Sequence, residues 1–286
     1  MIFYIRSTLI LFSIFYIIGC SNTNSVIRVV EKSDYIVILS DVTINDDKYT
    51  FLIDTGAGKS LISSAIAEKH KFKLESKYKV AIASGVHSIK NTTLSKINIG
   101  GVSINYAKPM DVLVYDIKRM SEDMGMKVDG IIGMDILYQT QLVVNLTKKL
   151  YFLEFNQGKH QVYDVSQGIP FDYHINTNQI NINNSPVSNL LIDTGANISH
   201  MNSSNLSKLG KANAVEPAKV GTLDSVNEEI MEYSFKKLNI NGHVIQDVSF
   251  IKDDKNILGT NILSKFDFVF DFPNRQMYLK SRNENE

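Results

Sequence analysis

The chain has 286 residues, 44% of them apolar and 21% charged, and its 30 basic side chains balance 30 acidic ones. That composition is too apolar for a disordered chain and long enough for two domains of ordinary size, and it offers no charge excess for a polyanion, so nucleic acid is not an expected partner. A single cysteine, Cys20, excludes disulfide frameworks, cysteine zinc sites and CxxC redox chemistry.

Residues 1–19 read as an export signal. Arg6 and the free amine precede an almost wholly apolar stretch from Ser7 to Ile18, which stops at Gly19-Cys20. That run falls short of the roughly 20 residues a spanning helix needs. Ile17-Ile18-Gly19-Cys20 resembles the lipobox of bacterial lipoproteins, which implies that Cys20 is lipidated, as by palmitate, and becomes the new N-terminus. The exported part would then carry no thiol, which suits an oxidising compartment. Ser21 to about Val30 reads as a short tether, within a segment spanning 20–32.

An internal repeat dominates the remainder. Leu52-Ile53-Asp54-Thr55-Gly56-Ala57 recurs unchanged as Leu191-Ile192-Asp193-Thr194-Gly195-Ala196, and Asp34-Tyr35 has its echo in Asp172-Tyr173. Lys96 to Gly101 answers to Lys237 to Gly242, and Ile131-Ile132-Gly133-Met134-Asp135-Ile136-Leu137 to Ile257-Leu258-Gly259-Thr260-Asn261-Ile262-Leu263. Asp54 to Gly133 spans 79 positions and Asp193 to Gly259 spans 66, so the first copy carries 13 extra residues, placed between Val114 and Gly130. The expected organisation is a first lobe over 33–155, a linker over 156–168, a second lobe over 169–282 and a tail of 283–286.

Within each copy the pattern is that of short strands. Tyr35 to Leu39, Phe51 to Ile53, Leu142 to Val144 and Phe266 to Phe270 are alternating or fully apolar runs broken by Gly, Asn and Asp. Gly100-Gly101 and Asn241-Gly242 are expected hairpin turns, since these residues tolerate positive φ. Short helices are expected at Ser63 to His70, at Ser203 to Leu209 and around Ile136 and Ile262. The fold expected is all-β with a few short helices, in two similar barrel-like lobes.

A carboxylate at the end of an apolar strand is costly to bury unless it is paired or hydrogen-bonded. If the lobes face each other across an approximate two-fold axis, Asp54 and Asp193 meet, and two carboxylates in contact share one proton. Such a pair is at once an acid and a base, able to activate a water and protonate a leaving amine. Gly56 and Gly195 allow close backbone approach, while Thr55 and Thr194 are placed to bond across the interface. Neither a metal nor a cofactor is needed. His70, His87, His160, His174, His200 and His243 show no ligand spacing. His200 follows Asp193 closely enough to border the site, although a surface or core role is the preferred reading. Met110, Met120, Met124, Met126 and Met134 cluster about the insertion, where loop packing is the expected role.

Asp-Thr-Gly-Ala twice, followed in each lobe by a hydrophobic-hydrophobic-Gly strand, resembles the aspartic proteases of the pepsin and retropepsin type, closer to the retroviral branch. The resemblance covers nearly all of the chain after the signal. It implies two closed-barrel lobes related by a pseudo-two-fold axis, a cleft between them, and catalytic Asp54 and Asp193 supported by Thr55, Gly56, Thr194 and Gly195. It also implies flap hairpins near Ile82 to Ser88, with Ser84, Gly85 and Val86 toward substrate, and near Val220 to Val226, with Gly221 and Thr222. Neither span holds the flap tyrosine of pepsins.

The ion pair that joins retroviral dimers is absent, its positions being Gly58 and Asn197 with Met134 and Thr260. Covalent linkage has replaced dimerisation in this reading. The expected activity is aspartic-type endopeptidase, in a monomer tethered to the cell envelope by its lipid and facing the periplasm or exterior. Its expected partners are a peptide or protein substrate and the membrane. A catalytically inactive peptide-binding envelope lipoprotein of the same fold is the alternative.

Overall fold

A computed structural model describes residues 24–82, 85–155, 168–172, 175–220 and 228–282. The described chain is mostly β, with five short α-helices. Two sheets, of thirteen and nine strands, carry the two lobes as partial barrels.

The two copies are built alike because their apolar patterns are alike. Strand Asp47–Ile53 ends in three buried residues and lies parallel to Gly130–Ile132, with Leu52 opposite Ile131. Its counterpart Leu190–Ile192 lies parallel to Asn256–Leu258, with Leu191 opposite Ile257. Helix Ser64–Lys69 starts where the Ser63 hydroxyl accepts the Ile66 N–H at 3.3 Å, and Asn202 caps helix Ser203–Leu206 in the same way through Asn205 N–H. The expected second helix continues only as a 3₁₀ turn, Ser207–Leu209. The segments around Ile136 and Ile262 form the four-residue helices Met134–Leu137 and Thr260–Leu263.

Both turn dipeptides are in the left-handed region that hairpins favour, Gly100 and Gly101 at φ +52° and +99°, Asn241 and Gly242 at +49° and +91°. At Gly100 a second constraint applies. A Cβ there would lie 2.2 Å from Ser25 Oγ and 2.4 Å from the Val26 carbonyl oxygen, so Gly100 can carry no side chain.

Ser25 belongs to a strand that the sequence reading did not foresee. Residues 20–32 read as a tether, yet Asn24–Glu31 is a strand paired with Leu150–Glu154 on one side and Ile36–Ile44 on the other. Ser25 and Ile27 are buried, and the Ser25 hydroxyl donates to the Ile99 carbonyl at 2.6 Å. The misreading has a physical cause. The alternation of exposed Val26 and Arg28 with Ser25, Ile27 and Val29 is a half-buried strand pattern, and one of its two partner strands, Leu150–Glu154, lies far along the chain.

The lobes meet in one antiparallel sheet. Its order is Ile169–Pro170, Gln276–Ser281, Phe266–Asp271, Gln141–Asn145, Leu150–Glu154 and then Asn24–Glu31. At its middle Val143 stands opposite Val269, with Leu142 opposite Phe270 and Val144 opposite Phe268. Phe266, Phe268 and Phe270 are all but fully buried there. Residues 156–167, most of the expected linker, lie outside the described residues, as do Tyr173 and the tail 283–286.

The insertion in the first copy holds helix Lys118–Asp123. Met120, Met124 and Met126 pack from it onto a small apolar cluster containing Leu39, Leu52, Leu61, Ile89 and Leu113. Met110 and Met134 join the main core instead.

A chain beginning at residue 24 keeps the whole of strand Asn24–Glu31. Beginning at residue 33 removes the strand and the buried Ile27, at a cost of about 3 kcal/mol or more. Thermal denaturation of the two shortened chains measures the difference.

Candidate active site

Each Asp-Thr-Gly-Ala begins where an interior strand runs out. The N–H groups of Asp54 and Asp193 still bond to the neighbouring parallel strand, at Ile132 and Leu258 carbonyls, both at 3.0 Å. The chain then turns back on its own carboxylate. Asp54 Oδ1 accepts the N–H groups of Gly56 at 2.8 Å and Ala57 at 3.0 Å, and Asp193 Oδ1 those of Gly195 at 2.8 Å and Ala196 at 3.2 Å.

The threonines lock the two turns together. Thr55 N–H donates to Thr194 Oγ1 at 3.1 Å, and Thr194 N–H to Thr55 Oγ1 at 3.0 Å. Each hydroxyl in turn donates across the junction, Thr55 to the Ile192 carbonyl at 2.7 Å and Thr194 to the Ile53 carbonyl at 2.8 Å. All four bonds are buried, and each joins one lobe to the other.

This lock presses the glycines onto the opposite carboxyls. A Cβ on Gly56 would lie 2.4 Å from Asp193 Cγ, and one on Gly195 would lie 2.4 Å from Asp54 Cγ. The carboxyls of Asp54 and Asp193 therefore lie side by side, near enough for each to act on the proton affinity of the other. Both residues keep partial exposure, but protein surrounds the carboxyls closely enough for burial to dominate their proton affinity. Burial, then the charge and hydrogen bond of Asp193, hold Asp54 well above the usual carboxylate range against the pull of its two backbone donors. Burial also raises Asp193, against its backbone donors, the bond from Asp54 and the charge of His200.

Behind the dyad lies a ring of bonds that the sequence reading did not assign. Ser60 Oγ donates to Asp135 Oδ1 at 2.6 Å and accepts Gly133 N–H at 3.0 Å. In the second lobe Ser199 Oγ donates to Asn261 Oδ1 at 2.7 Å and accepts Gly259 N–H at 2.9 Å. The signal was present in the sequence, since a serine stands six residues after each aspartate and Asp135 and Asn261 occupy matched places after Gly133 and Gly259.

The halves differ at one atom. Asn261 Nδ2 donates to the Ser249 carbonyl at 2.8 Å, whereas Asp135 Oδ2 is the one buried side-chain polar atom without a partner among the described residues. Burial pushes Asp135 up, and burial together with the charge of Asp135 pushes Tyr106 up to about 12.

The flap readings are reached only in part. Strand Glu75–Ile82 pairs with Gly85–Ile99, Ile82 opposite Gly85 and Ala81 opposite Val86, while Ser84 lies outside the described residues. Tyr78 on this hairpin donates its hydroxyl to Asp111 at 2.9 Å, and its ring lies 5.0 Å from the Lys59 ammonium. In the second lobe Ala214–Val220 pairs with Glu228–Ile240, and Gly221 and Thr222 lie outside the described residues. So does Cys20. The positions left by the missing ion pair are filled differently, Met134 being buried in the core and Thr260 donating its hydroxyl to the Ala196 carbonyl at 3.1 Å.

Residues 40–136 match the family model described as "Aspartyl protease", and residues 178–265 match the one described as "gag-polyprotein putative aspartyl protease". Each match takes in one Asp-Thr-Gly turn and the Gly strand beside it. No curated protein matches the chain.

Asp135 generates a stability prediction with a definite sign. Its proton affinity is raised on folding, so the folded protein keeps this proton where the unfolded chain has lost it, and stability falls as the pH rises through the folded value. Asp135→Asn removes that loss and puts an amide donor where Oδ2 has no partner. At neutral pH the melting temperature is expected to rise by about 2 °C or more, and the gain should vanish near about pH 4. Melting curves of both proteins at the two pH values check this, and a gain independent of pH would refute the cause.

Proposed function

Because the chain is a tandem pair of retropepsin-like aspartyl protease domains and belongs to that family, we propose that it is an endopeptidase in which Asp54 and Asp193 share one proton and activate a water between them. One observation carries this reading. The two carboxyls lie side by side at the lobe junction, each against the glycine of the other turn and each braced by two backbone N–H groups on one oxygen. A structural junction gains nothing from buried like charges that apolar packing would not supply more cheaply.

The ionised carboxyl of the pair takes a proton from water as the water oxygen attacks the scissile carbonyl carbon. The protonated carboxyl hydrogen-bonds to the carbonyl oxygen as negative charge develops there. Collapse of the tetrahedral intermediate then moves a proton to the amine nitrogen as the C–N bond breaks, and the pair returns to its singly protonated state. Gly56 and Gly195 leave room for the carboxyls to approach, and the threonine lock holds their separation through the cycle.

The lock also supports a site formed within one chain. The threonine bonds join the ends of two strands of one chain, Asp47–Ile53 and Leu190–Ile192, and the lobes that carry them share the sheet centred on Val143 and Val269. Linkage by a short connection gives one lobe an effective concentration near the other in the mM range, above ordinary protein concentrations. The single cysteine, at the end of an export signal, supports membrane attachment through a lipid on Cys20, with the protease domains exported to the periplasmic or extracellular face.

Asp54→Asn and Asp193→Asn are each expected to lower peptide turnover by about 10³-fold or more, and the double variant to be scarcely worse than either. A mixture of the two single variants should stay inactive, because each chain's own site then holds one Asn. Mass spectrometry of a peptide library incubated with each protein reads both results. Peptide binding with no cleavage by the unaltered protein would establish the inactive binding form instead.

The rate should follow a bell-shaped pH curve whose limbs belong to the pair. The acid limb marks entry of a second proton and the basic limb loss of the shared one. Since burial raises Asp54, and Ala57 and Ala196 offer no hydroxyl donor to the charged forms, the maximum is expected in weakly acidic solution. A maximum in strongly acid solution would overturn this assignment. For the anchor, Cys20→Ala should lose labelling by a fatty-acid analogue and leave the detergent phase, and unchanged labelling would remove the claim.

A further inference from the structure

The two halves repeat so closely about the dyad that a departure from the repeat marks a place where they do different work. Seven residues after Asp54 stands Leu61, and seven after Asp193 stands His200. Leu61 is buried in the small apolar cluster under Met120, Met124 and Met126. His200 is half-buried and lies on strand Ser199–Asn202, where Ser199 and Met201 turn into the core and His200 and Asn202 face outward.

The imidazole is held in place from one side. His200 Nδ1 lies 2.6 Å from Asp253 Oδ2, and Asp253, at the end of strand His243–Asp253, stands opposite Asn202 in the ladder. Asp253 is fixed in turn by the Asp254 N–H, which donates to its other oxygen at 2.6 Å. With Nδ1–H on the Asp253 carboxylate the orientation of the ring is set, and in the imidazolium form Nε2 also carries hydrogen and is the ring's donor edge, so the selection belongs to acid solution. Among the described residues Nε2 has no hydrogen-bond partner. His200 stands opposite Ile257 and Ile257 opposite Leu191, two residues before Asp193, all on the outward face of these strands, so the ring shares a sheet face with the Asp193 carboxyl, which its charge also reaches.

We propose that His200, held by Asp253, is a specificity-determining residue that selects peptides with a side-chain hydrogen-bond acceptor, carboxylate or amide, on the second lobe's side of the scissile bond. The reading rests on the peptidase function above. Its chemical logic is the difference between the halves. At the matched place the first lobe buries Leu61 and offers no polar group, whereas a half-buried imidazolium lined up by a carboxylate loses a hydrogen bond whenever an apolar side chain lies against it. Discrimination by such a group follows from the bond left unmade, and because this ring keeps some contact with water the factor is about tenfold, well below that of a fully enclosed site.

The experiment is cleavage profiling of a proteome-derived peptide mixture by the unaltered protein, His200→Leu, His200→Gln and Asp253→Asn. The unaltered protein should enrich Asp, Glu, Asn or Gln at one fixed position beside the cleaved bond. His200→Leu, which copies the first lobe, should lower kcat/KM on acceptor-bearing peptides by about tenfold, change it by less than about twofold on peptides apolar at that position, and abolish the enrichment. His200→Gln should restore part of the preference, since an amide can still donate. Asp253→Asn should weaken it, since the ring loses its anchor.

A merely structural ion pair would lower activity on all peptides alike, and an unchanged cleavage profile in His200→Leu would overturn the proposal while leaving the peptidase reading intact. Should His200→Leu fail to fold, an unchanged profile in both His200→Gln and Asp253→Asn overturns it equally. No cleavage by the unaltered protein would overturn the peptidase reading and this one with it.

Discussion

Gly56 and Gly195 sit so close to the carboxyl of the opposite lobe that neither could carry even a methyl group. That closeness is the constraint on which the rest of the molecule depends. Two carboxyls in contact and largely enclosed by protein repel each other when both are charged, and burial penalises either charge. The contact persists because four short-range bonds between Thr55, Thr194, Ile53 and Ile192 hold the turns together, and because two N–H groups converge on one oxygen of each aspartate. Energy invested by the fold in this one junction is recovered as proton affinity, which is what acid–base chemistry requires.

A junction of that kind has to be held rigidly from outside. In this chain the outer support is the shared sheet, centred on Val143 opposite Val269 and packed with Phe266, Phe268 and Phe270. Separate chains joined by a surface ion pair would depend on concentration and on salt. A continuous apolar sheet within one chain depends on neither. Met134 and Thr260, freed from any ionic role, serve packing and a local hydrogen bond respectively.

Covalent linkage also lets the halves diverge. A symmetric dimer must use the same residue twice, but a tandem chain can place Asp135 against Asn261, Leu61 against His200 and a methionine-bearing insertion in one half only. The unpartnered Oδ2 of Asp135 shows that such divergence is not free of cost. It concentrates around the dyad, where a peptide chain, itself directional, would meet the two lobes in different ways.

The sequence by itself determined the duplication, the strand character of each copy, the two Asp-Thr-Gly turns and the turn glycines, since each follows from a local pattern repeated at a matched distance. Local pattern also located four of the five α-helices among the described residues to within a few positions, through caps such as Ser63 and Asn202, but not Lys118–Asp123 in the insertion, which has no side-chain cap. Only the tertiary structure decided that Asn24–Glu31 is an interior strand and not a tether, because its partners Leu150–Glu154 are more than a hundred residues away. The same holds for the Ser60–Asp135 and His200–Asp253 contacts, which join residues 75 and 53 positions apart. Periodicity reports which face of an element is buried, whereas the identity of the group it is buried against depends on register between distant strands, and no local spacing encodes that.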